Sequence, residues 1–301
     1  MSFEFNWIFL AFLTPVLLGL NSIVNKWIID KYFRDPISSL SFMLIANVLF
    51  VLPSTFFIDI RLPWLNWFLI TGLGLIYGLM FYFQLKVVKE RDASEVAIIT
   101  RLKPIVVMIL ASLLLSEKLS INNIFGVILL SIGGFVIASK DIDVKKVKIS
   151  KHLSNLLIFI SISSLVSIGR KFILFENDFW AVFYWMNFGG MLGGLLLLIN
   201  KNNRKRFIDL IKNSPRKVYG VKIITQTTYT IGFLANTKAL VHGPVSIVAG
   251  IYSIQPFFVL LYSYFISKFF PNVIREDISK TSMIKKMVAI SLIILGSWLI
   301  I

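Results

Sequence analysis

Cysteine is absent from the 301 residues, which excludes disulfides, thiolate nucleophiles and cysteine-bound metal. Acidic residues are scarce as well: 15 Asp and Glu stand against 31 Lys and Arg, and there are 2 histidines. His152 lies in a basic stretch and His242 between two apolar runs, neither with a neighbouring Asp or Glu to orient it as a base. No GxxxxGK(S/T) segment occurs, so nucleotide hydrolysis is not expected. These shortages predict a chain with no catalytic constellation, no metal and no cofactor, and hence not an enzyme.

What fills the sequence instead is apolar. Apolar residues make up 57% and charged residues 15%, with a mean hydropathy of +0.81. A hydrocarbon core takes about 20 residues to cross as a helix. Runs of that order cover 7–29, 37–57, 64–87, 93–116, 119–139, 153–175, 179–199, 218–240, 244–267 and 284–301. Barrel strands would alternate over about 10 residues, and these runs are continuous. The sequence therefore predicts an all-α, multi-pass integral membrane protein with ten transmembrane helices. The first run is too long and lacks the preceding basic residues of a cleavable leader.

The formal charge of +16 raises nucleic acid as a partner, but Lys and Arg scattered over membrane links read as topology determinants and anionic-lipid contacts. No nucleic-acid partner is expected; membrane lipids and a small-molecule substrate are. The odd-numbered links carry 21 Lys and Arg and the even-numbered links 2, a bias that places the odd links in the cytoplasm and both termini outside.

The chain also reads as one five-helix unit written twice. Ser22 to Lys26 (SIVNK) matches Ser167 to Lys171 (SIGRK), and Tyr77, Phe81, Gln84, Lys86, Ala97 and Pro104 match Tyr229, Phe233, Asn236, Lys238, Ala249 and Pro256 at one constant spacing. The division is a first repeat over 1–139, a basic linker over 140–152 and a second repeat over 153–301. Duplicated hydropathy with paired helix-breaking prolines marks a secondary transporter, whose site lies between the repeats near the bilayer midplane.

Eight cations fall inside or at the edges of the runs: Lys26, Lys86, Arg101, Lys103, Arg170, Lys171, Lys222 and Lys238. Glu95 is the one carboxylate inside a run. Near a span end the ordinary reading is a long stem snorkelling to the headgroups, and that is the expectation for Lys86, Lys222 and Lys238. Arg101 and Lys103 lie too deep for it. An ionisable group at that depth faces a wet cavity, a partner or a substrate. On one continuous helix the two point about 160° apart, so one at most would look into a cavity. Pro104 and Pro256 leave the carbonyls of Thr100 and Tyr252 without a helical donor, which makes them hinges beside Arg101 and Lys103 in one repeat and Ser253 and Gln255 in the other. The candidate substrate-binding set is Arg101, Lys103, Ser253, Gln255, Tyr77, Tyr229, Phe81, Phe233, Asn25, Lys26, Arg170 and Tyr252. The plainer alternative pairs Arg101 with Glu95 or with lipid phosphate.

The segment Ala93-Ser94-Glu95-Val96-Ala97 … Pro104 … Leu115-Ser116-Glu117-Lys118-Leu119 … Gly126 … Gly133-Gly134 resembles the drug/metabolite transporter superfamily, EamA-type branch. The resemblance extends over almost the whole chain. The second copy keeps Pro256 and Gly296 but has Lys268-Phe269-Phe270 in place of the Glu, and a long insertion at 270–283. It implies ten helices as an inverted 5+5 repeat around a central cavity, alternating access, and both termini inside, opposite to the charge bias. Relatives of this type move amino acids, nucleotide sugars, sugar phosphates and other metabolites. The function expected is secondary transport of a small anionic or zwitterionic metabolite, such as an amino or organic acid, by a monomer or weak homodimer in the cell membrane. The alternatives are a lipid-headgroup flippase and a non-transporting membrane scaffold.

Overall fold

A computed structural model describes residues 6–32, 35–90, 100–138, 153–269 and 280–300. The basic linker 140–152, residues 270–279 of the insertion, Glu95 and Ala97 lie outside the described residues, as do the side chains of Lys26, Gln84 and Lys86. The described residues are mostly helical, with no strand among them. In chain order the helices are α1 (Trp7–Lys31), α2 (Pro36–Val51), α3 (Trp64–Glu90), α4 (Lys103–Leu114), α5 (Ile121–Ala138), α6 (Leu153–Leu174), α7 (Phe179–Leu197), α8 (Lys201–Asn213), α9 (Arg216–His242), α10 (Val245–Tyr252), α11 (Gln255–Phe269) and α12 (Lys280–Ile300). Five stretches are long and apolar enough to cross a membrane: Trp7–Asn25, Trp64–Tyr82, Leu157–Leu174, Phe179–Leu197 and Val245–Lys268. Shorter apolar helices accompany them.

Several helices start where an Asx side chain takes an otherwise unpaired N–H. Asn6 accepts from Ile8 N (3.0 Å), Asp178 from Trp180 N (2.8 Å) and Asn200 from Asn202 N (2.9 Å). Asp35 accepts from Ser38 N (2.9 Å) and Ser38 Oγ (2.6 Å), with Pro36 preset for the first turn.

Two departures from the ten expected runs have physical causes. The ninth run is cut at Ser253-Ile254, where Pro256 cannot donate, so it forms two helices, α10 and α11. The basic link after the seventh run folds into α8, a polar amphipathic helix that a search for apolar runs passes over.

The packing crosses between the sequence halves. The first helix of each half lies on the third and fourth of the other: α1 on α9 and α11, α6 on α3 and α4. Helices α5 and α12 pair, and α7 packs on both α2 and α3. The α3–α7 crossing depends on hydrogen in place of side chains. A Cβ on Gly74 would sit 2.1 Å from Met186 O, and one on Gly189 2.1 Å from Thr71 O. Small residues let helix backbones approach in this way. The α2–α9 contact is instead made by amides: Gln226 Nε2 and Thr230 Oγ1 donate to Asn47 Oδ1 (2.9 and 2.6 Å), and Asn47 Nδ2 donates to Asn187 Oδ1.

Gly74→Ala should lower stability by about 1–3 kcal/mol through forced separation of the helices. Gly72→Ala, with nothing within 4 Å of the added carbon, should be neutral or gain up to about 1 kcal/mol of helix propensity. Thermal unfolding in detergent separates the two; equal melting temperatures would mean the crossing is loose. For Asp35, burial pushes the carboxyl up, but the Ser38 hydrogen bonds and Arg206 outweigh it and hold it below its usual value. Its contribution is thus present at neutral pH and lost as pH falls through the lowered folded value. Asp35→Ala should cost about 1 kcal/mol at pH 7 and progressively less in acid, as followed by unfolding across pH.

Candidate functional site: a cationic cavity at two broken helices

Each proline stands just past a break. Arg101 and Leu102 form a turn, and α4 starts at Lys103 with Pro104 in its first turn. Ser253 and Ile254 form the matching turn, and α11 starts at Gln255 with Pro256 next. At the end of α10 the bonds tighten: Ser253 N donates to Gly250 O (3.0 Å) and Ile254 N to Ile251 O (3.2 Å). Gly134 of α5 presses on both breaks. A Cβ there would lie 2.3 Å from Ser253 O and 3.6 Å from Arg101 Cδ.

The breaks open on a cavity of about 420 Å³, within the usual size of small-molecule sites. Arg101 and Lys103 both line it. The helical-wheel expectation that one at most would do so fails because Arg101 precedes the helix and is not bound by its period. Of the other expected residues, Ser253, Gln255, Tyr77, Tyr229, Phe81, Phe233, Arg170 and Tyr252 also line the cavity, together with Pro104. Asn25 and Pro256 do not. Asn25 is drawn away by Lys222, whose Nζ donates to Asn25 Oδ1 (2.9 Å), while Asn25 Nδ2 donates to Asn21 Oδ1 (2.5 Å) and Asn21 Nδ2 to Thr225 O.

That chain of amides also overturns snorkelling for Lys222, which is 5% exposed. Close packing of α1 on α9 encloses it, and polar partners stand where lipid headgroups would have been.

Matched positions of the two repeats meet in this cavity. Ser22 and Ser167, Tyr77 and Tyr229, Phe81 and Phe233, Arg101 and Ser253, and Lys103 and Gln255 all contribute to its wall. The Tyr77 and Tyr229 hydroxyls stand close enough to interact. Phe233 stacks with Tyr229 at 6.1 Å between ring centroids, and Tyr77 meets Phe81 edge-on at 5.0 Å. Arg170 is buried on α6: Nη1 donates to Thr237 Oγ1 (3.1 Å), Nη2 to Asn236 Oδ1 (2.6 Å), and the guanidinium lies 5.0 Å from the Phe233 ring centre. The Nε atoms of Arg101 and Arg170 are both buried without a hydrogen-bond partner. Lys103 feels the Arg170 charge. Such a wall attracts anions and repels organic cations. Asn21, Ser163 and Ser167 line it too; Ser167 carried a signal in the repeat alignment, and Ser163 sits one helical turn before it.

The link between α9 and α10 is held by two charges, one from the link after α4 and one from α6. Pro244 offers α10 no capping side chain. Glu117 supplies it, Oε1 accepting from Val245 N (2.6 Å) and Oε2 from Ser246 N (3.2 Å) and Ser246 Oγ. Its approach is set by Ser116, whose φ of 51° turns the chain after α4. Lys171 Nζ donates to Leu240 O (2.6 Å) and Gly243 O (3.1 Å), closing the carbonyl end of α9. Trp185 Nε1 donates to Ile60 O (2.7 Å) and Asn66 Nδ2 to Asn177 Oδ1 (3.1 Å), tying the neighbouring links.

Residues 5–139 match the profile of the EamA-like transporter family, so the first half of the chain is similar to EamA-type transporters. That match and the five helices long and apolar enough to cross a membrane point to an integral multi-pass membrane protein. A solved crystal structure of a protein, 14% identical, superposes with a TM-score of 0.66 over 97% of this chain and 94% of that one, a likeness of fold. No curated protein matches the sequence.

Glu117→Ala leaves the N–H groups of Val245 and Ser246 without their acceptor and should destabilise by about 1–3 kcal/mol. Glu117→Gln, which keeps one acceptor oxygen, should lose less. Denaturant unfolding of both in detergent checks the order, and an unchanged midpoint for Glu117→Ala would remove the capping role.

Proposed function

We propose that the chain is a secondary transporter working by alternating access, which carries a small anionic or zwitterionic metabolite, such as an amino or organic acid, across the cell membrane. The observation that carries this reading is the convergence of Arg101, Lys103 and Arg170 on one cavity at the two helix breaks. Holding cations at membrane depth costs at least about 2.5–3.5 kcal/mol each on insertion scales, a cost that a bound carboxylate or phosphate offsets. Interrupted helices at the repeat interface are where such transporters hold substrate.

An architecture of ten crossings as an inverted 5+5 repeat accompanies the proposal. It is supported by the crossed packing of α1 on α9 and α11 and of α6 on α3 and α4. The direct contact of Tyr77 with Tyr229 supports it further, since mates that touch must lie close to the axis relating them.

In liposomes, wild-type protein should take up or exchange small carboxylates or amino acids. Arg101→Glu should abolish anion uptake while the folded amount stays nearly unchanged, and Arg101→Lys should keep part of it, because a point charge replaces a fork. Equal uptake by Arg101→Glu and wild type, or activity on organic cations alone, would reject the reading.

A further inference from the structure

The cavity is lined by two guanidinium groups, from Arg101 on the turn before α4 and from Arg170 on α6. Arg170 spends one N–H of Nη1 on Thr237 and one of Nη2 on Asn236, and its buried Nε–H is among the donors left without a partner. Arg101, on the turn before α4, likewise keeps a buried Nε without partner, with Gly134 close behind its Cδ. A single carboxylate satisfies one of these poles and leaves the other cation desolvated and unpaired, which is the expensive arrangement. The wall also carries aromatic rings, from Tyr77, Phe81, Tyr229 and Phe233, suited to a short carbon spacer. We propose, building on the transport-site reading above, that the preferred substrate carries two anionic groups on a short spacer, one oxyanion at the Arg101 guanidinium and the other at the Arg170 guanidinium. The shared chemistry is a small dianion; its second head is a carboxylate or a phosphate.

The test is binding to purified wild-type protein by calorimetry, with probes matched in size. Succinate and its half-amide succinamate differ in one carboxylate, and 2-phosphoglycolate exchanges one carboxylate for phosphate. Succinate or 2-phosphoglycolate should bind at least tenfold more tightly than succinamate, and whichever is tighter identifies the second head. Arg101→Gln and Arg170→Gln should each bring the succinate-to-succinamate ratio toward unity. Equal binding of succinate and succinamate would overturn the two-headed substrate while leaving an anion site standing. No binding of any anion, amino acids included, would remove both. The wild-type comparison decides the matter even where Arg170→Gln does not fold.

Helix α8 carries a separate inference. None of its residues is buried. One side is fixed to the bundle: Asn203 Nδ2 donates to Leu197 O (3.0 Å), and Leu210 packs against the Ile28 and Val218 cluster. At 100° per residue, Ile211, Arg204, Ile208, Lys201, Lys212 and Lys205 follow one another over an arc of about 120° on another side. Ile208 and Ile211 are exposed there, and exposed Leu195, Leu196 and Ile199 at the end of α7 continue the apolar strip. An apolar strip edged by Lys and Arg is the pattern of a helix lying in the headgroup layer. We infer that α8 rests in the interface with Ile208 and Ile211 in the acyl boundary, and that Lys201, Arg204, Lys205 and Lys212 hold anionic lipid phosphates.

Because the chain lacks cysteine, single spin labels report cleanly. In vesicles containing phosphatidylglycerol, labels at Ile208→Cys and Ile211→Cys should be reached by oxygen, and one at Asn202→Cys by an aqueous nickel reagent. Adding phosphatidylglycerol to phosphatidylcholine should raise the melting temperature of wild type, and the rise should vanish when Lys201, Arg204, Lys205 and Lys212 are all changed to Gln. Aqueous contact at all three labels, or the same lipid response in wild type and the fourfold variant, would overturn the inference.

Discussion

A bilayer tolerates a broken helix only where protein or a wet cavity meets the freed backbone groups, and this constraint organises the molecule. The breaks at Arg101-Leu102 and Ser253-Ile254 face the cavity through Arg101 and Ser253, while Leu102 points outward and is exposed. Gly134 is the clearest sign of how closely they are enclosed, since a methyl group there would run into the Ser253 carbonyl. The same enclosure brings Arg101, Lys103 and Arg170 to one chamber. Broken backbone and buried charge thus share one solution. Neither would survive in lipid alone.

Charges that do not face the cavity serve as caps. Glu117 and Lys171 reach the α9–α10 link from opposite signs, the carboxylate on N–H groups and the ammonium on carbonyls, each matched to the partial charge of the helix end it meets. The second repeat has Phe269 and Lys268 in the region corresponding to Glu117, so the carboxylate clamp belongs to one half. At neighbouring residues of α7 the contacts differ in chemistry, glycine of α3 on Met186 and the amide of Asn47 on Asn187, which also ties α2 to Gln226 of α9.

Much of the helical architecture was legible because apolar runs are one-dimensional signals. Tyr77, Phe81 and Pro104 declared their partners by a constant spacing, and Arg101 and Lys103 stood out as cations too deep to snorkel. What the sequence hid depended on partners far along the chain. Lys222 meets Asn25 across 197 residues and Glu117 meets Val245 across 128, and no local pattern announces either. Helix α8 was missed since its mean character is polar, although its period is helical. The angle drawn between Arg101 and Lys103 was wrong because it assumed the helix continued through the residues that Pro104 cuts off.

Duplication supplied shape from both halves but did not copy the arginines. Arg101 has Ser253 as its mate, and Arg170 has Asn25. Four cations at these symmetric positions would repel one another in a medium that screens poorly, whereas neutral polar mates leave a single pair of arginines to do so. Asn25 is then free to bond Lys222 and Asn21, and Ser253 closes its hydroxyl on Gly250 O (2.6 Å). Each neutral mate has become part of the frame, and each arginine keeps an unmet Nε–H in the cavity. The broken symmetry leaves two poles of like charge facing one chamber, which is the feature that a repeat with perfect copies could not hold without a ligand.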